Sequence, residues 1–117
     1  MISIIMNSHN GEKFIERSIR SILNQTYKNW ELIFWDNKSN DNSLKIINQF
    51  NDDRIKYFYS KNYDKLYKAR NLALKKAKGE FIAFLDVDDT WEKNKLQVQS
   101  DDIIKNKADI SFSNYWE

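Results

Sequence analysis

The sequence has 117 residues, 19 lysines and arginines against 17 aspartates and glutamates, and is 41% hydrophobic, 31% charged and 15% aromatic. That is one domain's worth of a globular chain. A net charge of +2 is too balanced to point to nucleic acid, whose binders gather basic residues on one face, so no nucleic-acid partner is expected. The absence of cysteine excludes disulfides and cysteine-based zinc sites. No apolar run approaches the roughly 20 residues that span a bilayer, and no basic leader or cleavage signal follows Met1, so a cytoplasmic location is the expectation.

The elements alternate along the chain. Ile2–Met6 is a short apolar run rich in β-branched residues, a strand by length and composition. Asn7–Gly11 is turn material, and Glu12–Asn24 repeats Phe14, Ile15, Ile19, Ile22 and Leu23 on one helical face. Trp30–Trp35 reads as a second strand. Asp36–Asn42 is a polar loop in which Asn40 or Asp41 can cap a helix carrying Leu44, Ile47 and Phe50. Arg54–Tyr59 alternates as a third strand. A helix follows at about Lys65–Lys78, with Leu66, Ala69, Ala73 and Ala77 on one stripe, Lys75, Lys76 and Lys78 solvated at its end, and Gly79 as its C-cap. Glu80–Leu85, almost wholly apolar, predicts a buried central strand. Thr90 can cap a helix running to about Lys105, and Ala108–Phe112 is a fifth strand. With no proline and two glycines, Gly11 and Gly79, asparagine takes over many turn positions.

This alternation predicts one domain over residues 1–117, a three-layer α/β/α sandwich with a mostly parallel sheet and right-handed crossovers. Ligands of such sheets bind at the carboxyl ends of the strands. The loops Asn7–Asn10, Asp36–Asn40 and Asp86–Asp89 should therefore share one rim.

Asp86, Asp88 and Asp89 place three carboxylates within four residues, after a hydrophobic strand. Their mutual repulsion calls for a cation, and oxygen ligands suit Mg²⁺ or Mn²⁺. The plain alternative is an acidic turn whose last members cap the next helix. Asp36 and Asn37 could read a base edge or ribose hydroxyls, or simply form an Asx turn. His9, the sole histidine, could stack, donate or ligate, or be an ordinary loop residue. Arg70, on a stripe of small residues, could face a diphosphate or make a surface ion pair. Trp30, Trp35 and Trp91 read as packing. No Walker-type loop and no Gly-x-Gly-x-x-Gly is present, so a phosphate charge would fall to a metal.

Taken together, Ser3–Glu12, Ser21–Tyr27, Glu31–Asp41, Ala69-Arg70-Asn71 and Lys78–Asp89 resemble a family 2 glycosyltransferase of the Rossmann-like GT-A fold, over essentially the whole chain. The resemblance implies that Asn7 and His9 flank a nucleobase, that Asp36 and Asn37 belong to the donor site with Asn37 on the uracil edge, and that Arg70 lies near the base or phosphates. It implies that Asp86, Asp88 and Asp89 bind ribose hydroxyls and a Mn²⁺ or Mg²⁺ ion, Asp88 and Asp89 being the metal ligands. The implied donor is a nucleotide sugar, a uridine diphosphate sugar first. The implied acceptor is a glycan or lipid-linked hydroxyl in bacterial surface glycan synthesis, with peripheral contact at the inner face of the membrane; a homodimer covering the exposed sheet edge is expected of a chain that binds donor without transfer.

The chain departs from the family pattern in having Met6 and Asn7 in place of a proline, His9 in place of tyrosine or phenylalanine, Asn37 in place of aspartate, and Asn62–Leu66 in place of a glycine-rich stretch. The expected chemistry is displacement at the anomeric carbon. The metal stabilises the leaving diphosphate, and a base beyond Glu117 takes the acceptor proton. On this view the chain is the truncated N-terminal part of such an enzyme. The rival is a donor-binding module without transfer. A nucleotidyltransferase would want a glycine- and lysine-rich phosphate loop, and a response-regulator-like domain would split its acids between strand ends with a later lysine.

Overall fold

The computed structural model describes residues 1–111. The elements are β1 (Ile2–Ser8), α1 (Ile15–Leu23), β2 (Trp30–Asn37), α2 (Ser43–Ile47), β3 (Ile55–Ser60), α3 (Leu66–Leu74), β4 (Phe81–Phe84) and α4 (Lys95–Asn106). The four strands form one sheet in the order β3-β2-β1-β4, every pair parallel. Register sets Ser8 beside Asp36, Asn37 beside Ser60 and Ile5 beside Phe84. No helix among the described residues is long and apolar enough to cross a membrane.

Strand alternation divides the core between two faces. Ile2, Ile4 and Met6 of β1 and Trp30, Leu32 and Phe34 of β2 pack with Ile15, Ile19 and Ile22 of α1, Ile47 of α2 and Leu96 of α4. The helical spacing of the α1 isoleucines leaves Glu16, Arg17 and Arg20 on the solvent side. On the other face, Ile5, Ile33 and Trp35 meet Ala69 and Ala73 of α3. This is the expected three-layer sandwich. Trp30 and Trp35 are packing residues, as expected, and Arg54 lies over the Trp30 ring at 3.8 Å.

Several expectations are corrected. The strand expected over Glu80–Leu85 is not central: among the described residues β4 is an edge, paired only with β1. Phe81, Ala83 and Leu85 turn to the α1-side core, whereas Ile82 and Phe84 are 41% and 48% exposed. Apolar residues on both faces of a strand do not by themselves require a neighbour on both sides. Residues 108–111 carry no strand, and Phe112 lies outside the described residues. The third helix stops at Leu74, and Leu66 is exposed.

Gly79 is not a helix cap. A Cβ there would lie 2.6 Å from the Met1 carbonyl and 2.8 Å from Ser3 N, so glycine is required by close backbone approach. Nor does Thr90 cap the last helix, which begins at Lys95. Its Leu96 N–H is instead taken at 3.0 Å by Oε1 of buried Gln25, whose Nε2 donates at 2.7 Å to the Glu92 carbonyl. A long-range amide thus caps α4, a connection that local cap rules cannot register. At α2 neither Asn40 nor Asp41 is the N-cap: that position is Asn42, whose side chain makes no cap bond, and Asp41 Oδ1 accepts from Ser43 N at 3.0 Å from one residue earlier.

At the amino end of the sheet, Glu31 is buried on the α3 side. Its Oε1 accepts from Ser3 Oγ and from Lys78 N, each at 2.7 Å, and Lys56 Nζ lies 3.6 Å from Oε2. Burial alone would raise the carboxyl pKa, but the Ser3 hydroxyl, the Lys78 N–H and the Lys56 ammonium outweigh it and hold it below the ordinary value. A carboxyl whose folded pKa is depressed stabilises the fold above its unfolded pKa and loses that contribution as pH falls through the folded one. Chemical denaturation should therefore give a stability that declines on acidification through and below the ordinary carboxylate range. Glu31→Ala should flatten that slope and cost about 1–3 kcal/mol at neutral pH, because Ser3 and Lys78 lose their acceptor.

Candidate donor-binding site

All strands being parallel, their carboxyl ends share one rim, and β1 sits in the middle of it. The loop after β1 touches both of its neighbours. Toward β2, His9 Nδ1 donates to the Asn37 carbonyl at 2.7 Å, and Nε2 accepts from Asn10 Nδ2 at 3.2 Å, the neutral tautomer protonated on Nδ1. Asn10, at φ 52°, donates its N–H to Ser39 Oγ and accepts from Asn40 N, both at 2.8 Å. Glu12 N donates to Asp41 Oδ2 at 3.1 Å, and Asn42 N donates back to Glu12 Oε2 at 3.0 Å. Asparagine in the left-handed region at Asn10 is as expected, whereas Lys38 at φ 57° stands where no cheap residue is present.

Toward β4, a Cβ on Gly11 would lie 2.4 Å from Ser8 Oγ and 3.1 Å from a Val87 methyl. Gly11 is closed in first by the Ser8 hydroxyl and then by the Val87 side chain of the acidic loop. Val87 packs on the α1-side core, while Asp86, Asp88 and Asp89 around it are exposed. The partly buried valine anchors the loop between the carboxylates.

The three carboxylates converge: one oxygen from each lies within 4.8 Å of the others. Opposed ligands on Mg²⁺ are about 4.2 Å apart, so a small adjustment of exposed side chains would admit one ion. The donor set is all oxygen and hard, and fits Mg²⁺ or Mn²⁺ rather than a softer metal. A turn bond from Asp89 N to the Asp86 carbonyl at 3.0 Å shapes the loop. Arg17 Nη2 donates to the Asp88 carbonyl at 3.1 Å. Arg70 stands 3.9 Å from Asp86 Oδ1 and 5.1 Å from the Phe84 ring centroid. That half-exposed pair is loose and worth little by itself, leaving the guanidinium free to meet another anion. Arg70, Asp86, Asp88, Asp89 and Trp91 line one open cleft of about 1210 Å³. Trp91 is also part-buried against the α1-side core.

Asn37 and Asp36 face opposite sides of the sheet. The Asn37 amide clasps the backbone of Asp64, accepting from its N–H at 3.0 Å and donating to its carbonyl at 2.8 Å. An aspartate could not make the second bond, which gives a physical reason for the amide in this chain. Asp36 is buried: Oδ1 accepts from Ser39 N at 2.9 Å, the Asx-type turn weighed from sequence, and Oδ2 accepts from Tyr57. Burial and this bond push the Tyr57 hydroxyl pKa well up. Tyr63 stands edge-on to His9, with centroids 4.6 Å apart.

Asn7 Nδ2, Ser8 Oγ, Trp35 Nε1 and Arg70 Nε are buried without a hydrogen-bond partner among the described residues. These four lie toward the carboxyl rim, while Ser18 Oγ, Trp30 Nε1 and Glu31 Oε2, equally buried and without a hydrogen-bond partner, lie away from it. Sequence reasoning did not bring Arg17, Tyr57, Tyr63, Asp64 or Val87 to the site, and gave Gly11 only as turn material and Asp41 only as a possible helix cap. The Ser39-Asn40-Asp41 run was the one available signal for the loop clasp. The roles of Tyr57 and Asp64 arise from spatial proximity alone.

The family model described as glycosyl transferase family 2 matches residues 3–116. The chain is 46% identical to a UDP-Glc:alpha-D-GlcNAc-diphosphoundecaprenol beta-1,3-glucosyltransferase, WfgD, of Escherichia coli, covering 98% of this chain and 46% of that protein. It superposes with a TM-score of 0.88 on S. aureus TarS 1-349 in complex with UDP-GlcNAc, at 30% identity over 92% of this chain and 32% of that one. The mannosyltransferase PcManGT of Pyrobaculum calidifontis, in complex with GDP-Man and Mn²⁺, shares the fold at a TM-score of 0.72 and 23% identity, over 77% of this chain and 28% of that one. The chain spans about half the length of the curated relatives it matches. The match over residues 3–116, together with the four-stranded parallel sheet and its acidic rim, establishes that this chain belongs to glycosyl transferase family 2.

Proposed function

We propose that residues 1–117 form a single donor-binding domain of a glycosyltransferase. It passes a sugar from a nucleoside diphosphate, uridine diphosphate first, to an acceptor hydroxyl in bacterial surface glycan synthesis. The observation that carries this reading is the meeting of an all-oxygen acidic cluster with Arg70 in one cleft, beside the clasped loops of His9 and Asn37. The relatives named for UDP-sugar chemistry support the choice of uridine.

In this reading Asp88 and Asp89 hold a Mn²⁺ or Mg²⁺ ion, with Asp86 on the ribose side. When bound, the ion supplies positive charge that stabilises the diphosphate as it leaves. Arg70 adds a planar, permanently charged donor for phosphate oxygens. His9 and Tyr63 offer rings to the base, and Asn7 its buried unpartnered N–H. Asn37 retains one N–H and one lone pair beyond its bonds to Asp64, enough to read one edge of uracil. Asp36 acts by holding the loop through Ser39 and Tyr57. A lipid-linked acceptor accounts for peripheral contact with the membrane's inner face, and a second copy would cover the exposed Ile82 and Phe84 face of β4.

Calorimetric titration with UDP tests the donor site that transfer and binding-only readings share. Binding in Mn²⁺ should weaken at least about tenfold in EDTA and in an Asp88→Asn, Asp89→Asn double variant. Metal-independent binding of equal strength in both proteins would sink the assignment. Asn37→Asp should lower stability by about 1–3 kcal/mol, because it sets a carboxylate against the Asp64 carbonyl. A thermal melt unchanged from the parent chain would contradict the clasp.

A further inference from the structure

The acidic loop has an oppositely charged far side. An open cavity of about 530 Å³ lies between α1 and the segment that follows Asp89, lined by Lys13, Arg17, Arg20 and Lys93 with Glu16 as the one carboxylate. Four cations against one anion leave +3 in this single cavity, more than the +2 of the whole chain. Of these four cations only Arg20 is ion-paired among the described residues, at 2.9 Å from Glu16. Among the described residues, Lys13 and Lys93 have no carboxylate at ion-pair distance. Arg17 gives one N–H to the Asp88 carbonyl and keeps further donors on its guanidinium.

The cavity wall is fixed by bonds that run across the fold. Gln25 binds the Glu92 carbonyl and the Leu96 N–H, and Thr26 N donates to the Lys93 carbonyl at 2.8 Å. Arg17, Thr90, Trp91 and Lys93 line both this cavity and the cleft of the acidic cluster. A strongly positive cavity therefore opens directly beside the place where three carboxylates gather. Lysine and arginine side chains bind phosphate oxygens by charge-assisted hydrogen bonds without a metal.

We propose that the cavity takes the diphosphate of the acceptor, a lipid-linked sugar diphosphate, while its sugar hydroxyl reaches into the cleft. The proposal rests on the donor reading given above. A compact group of doubled negative charge suits four cations gathered in one cavity. A long polyanion would need a basic stripe that continues, and the next lysine group, Lys75, Lys76 and Lys78, follows α3 on the opposite face of the sheet. Arg17 is the joint of the arrangement, since it touches the acidic loop and lines the cavity together.

The test compares the chain with a Lys13→Gln, Arg20→Gln variant, whose altered residues line the cavity and not the cleft. Flotation is measured in EDTA with phosphatidylcholine vesicles carrying a polyprenyl diphosphate, and with vesicles matched in charge by phosphatidylglycerol. Inorganic diphosphate serves as competitor and, separately, as a calorimetric ligand. The expected result is preferential capture by the diphosphate lipid, competition by inorganic diphosphate, and about a tenfold loss in the variant. Equal capture by phosphatidylglycerol would reduce the cavity to a general electrostatic surface and overturn the proposal. Binding of inorganic diphosphate without capture by the lipid would overturn the lipid source. Failure of both, with metal-dependent UDP binding intact, would overturn the cavity and leave the donor site standing. Loss of UDP binding alone would strike the donor reading and not the capture measured in EDTA.

Discussion

The central position of β1 in an all-parallel sheet is the constraint on which the site depends. Parallel strands send every carboxyl end to one rim, and the order β3-β2-β1-β4 puts the His9–Glu12 loop between its two neighbours. That loop clasps the β2 loop through His9, Asn10 and Glu12 and abuts the acidic loop through Gly11. The β2 loop in turn pins Asp64 ahead of α3 through Asn37. Three stretches far apart in sequence are thereby held in one arrangement by bonds whose net worth is about 1 kcal/mol each. Their value is positional more than energetic.

Charge is distributed along that rim with one purpose visible in the geometry. Exposed carboxylates at about 4 Å repel by roughly 1 kcal/mol per pair in water, so the loop tolerates the cluster but gains from a cation. Val87 holds the loop between them by packing, partly buried, against the α1-side core. Arg70 stands near without a tight bond, and Arg17 grips the loop from behind by its backbone. Both guanidiniums keep capacity for phosphate oxygens. At the opposite end of the sheet, Glu31 shows the contrasting case of a buried carboxylate whose Oε1 is held by Ser3 and Lys78, with the Lys56 ammonium 3.6 Å from Oε2.

Periodicity and composition made much of this legible. The isoleucine spacing of α1, the strand runs, and the crowding of Asp86, Asp88 and Asp89 all hold in three dimensions. What the linear pattern hid depends on distance through space. Gln25 caps a helix 71 residues later, and no local rule finds it. Gly79 looked like a helix terminus, yet it is small because Met1 and Ser3 lie against it. The apolar run at β4 looked central, because burial of alternate residues and exposure of Ile82 and Phe84 give the same one-letter pattern. Asn37 departs from the family's aspartate for a reason visible only once Asp64 is beside it.

One bound nucleotide should engage all three loops together. Nuclear magnetic resonance of the ¹⁵N-labelled chain, titrated with UDP and Mg²⁺, tests that most directly. The prediction is that amide shifts cluster at residues 9–11, at 37–40 with Asp64, and at 86–90, saturating at one common concentration. Shifts confined to one loop, or spread around Glu31 at the opposite end of the sheet, would contradict it.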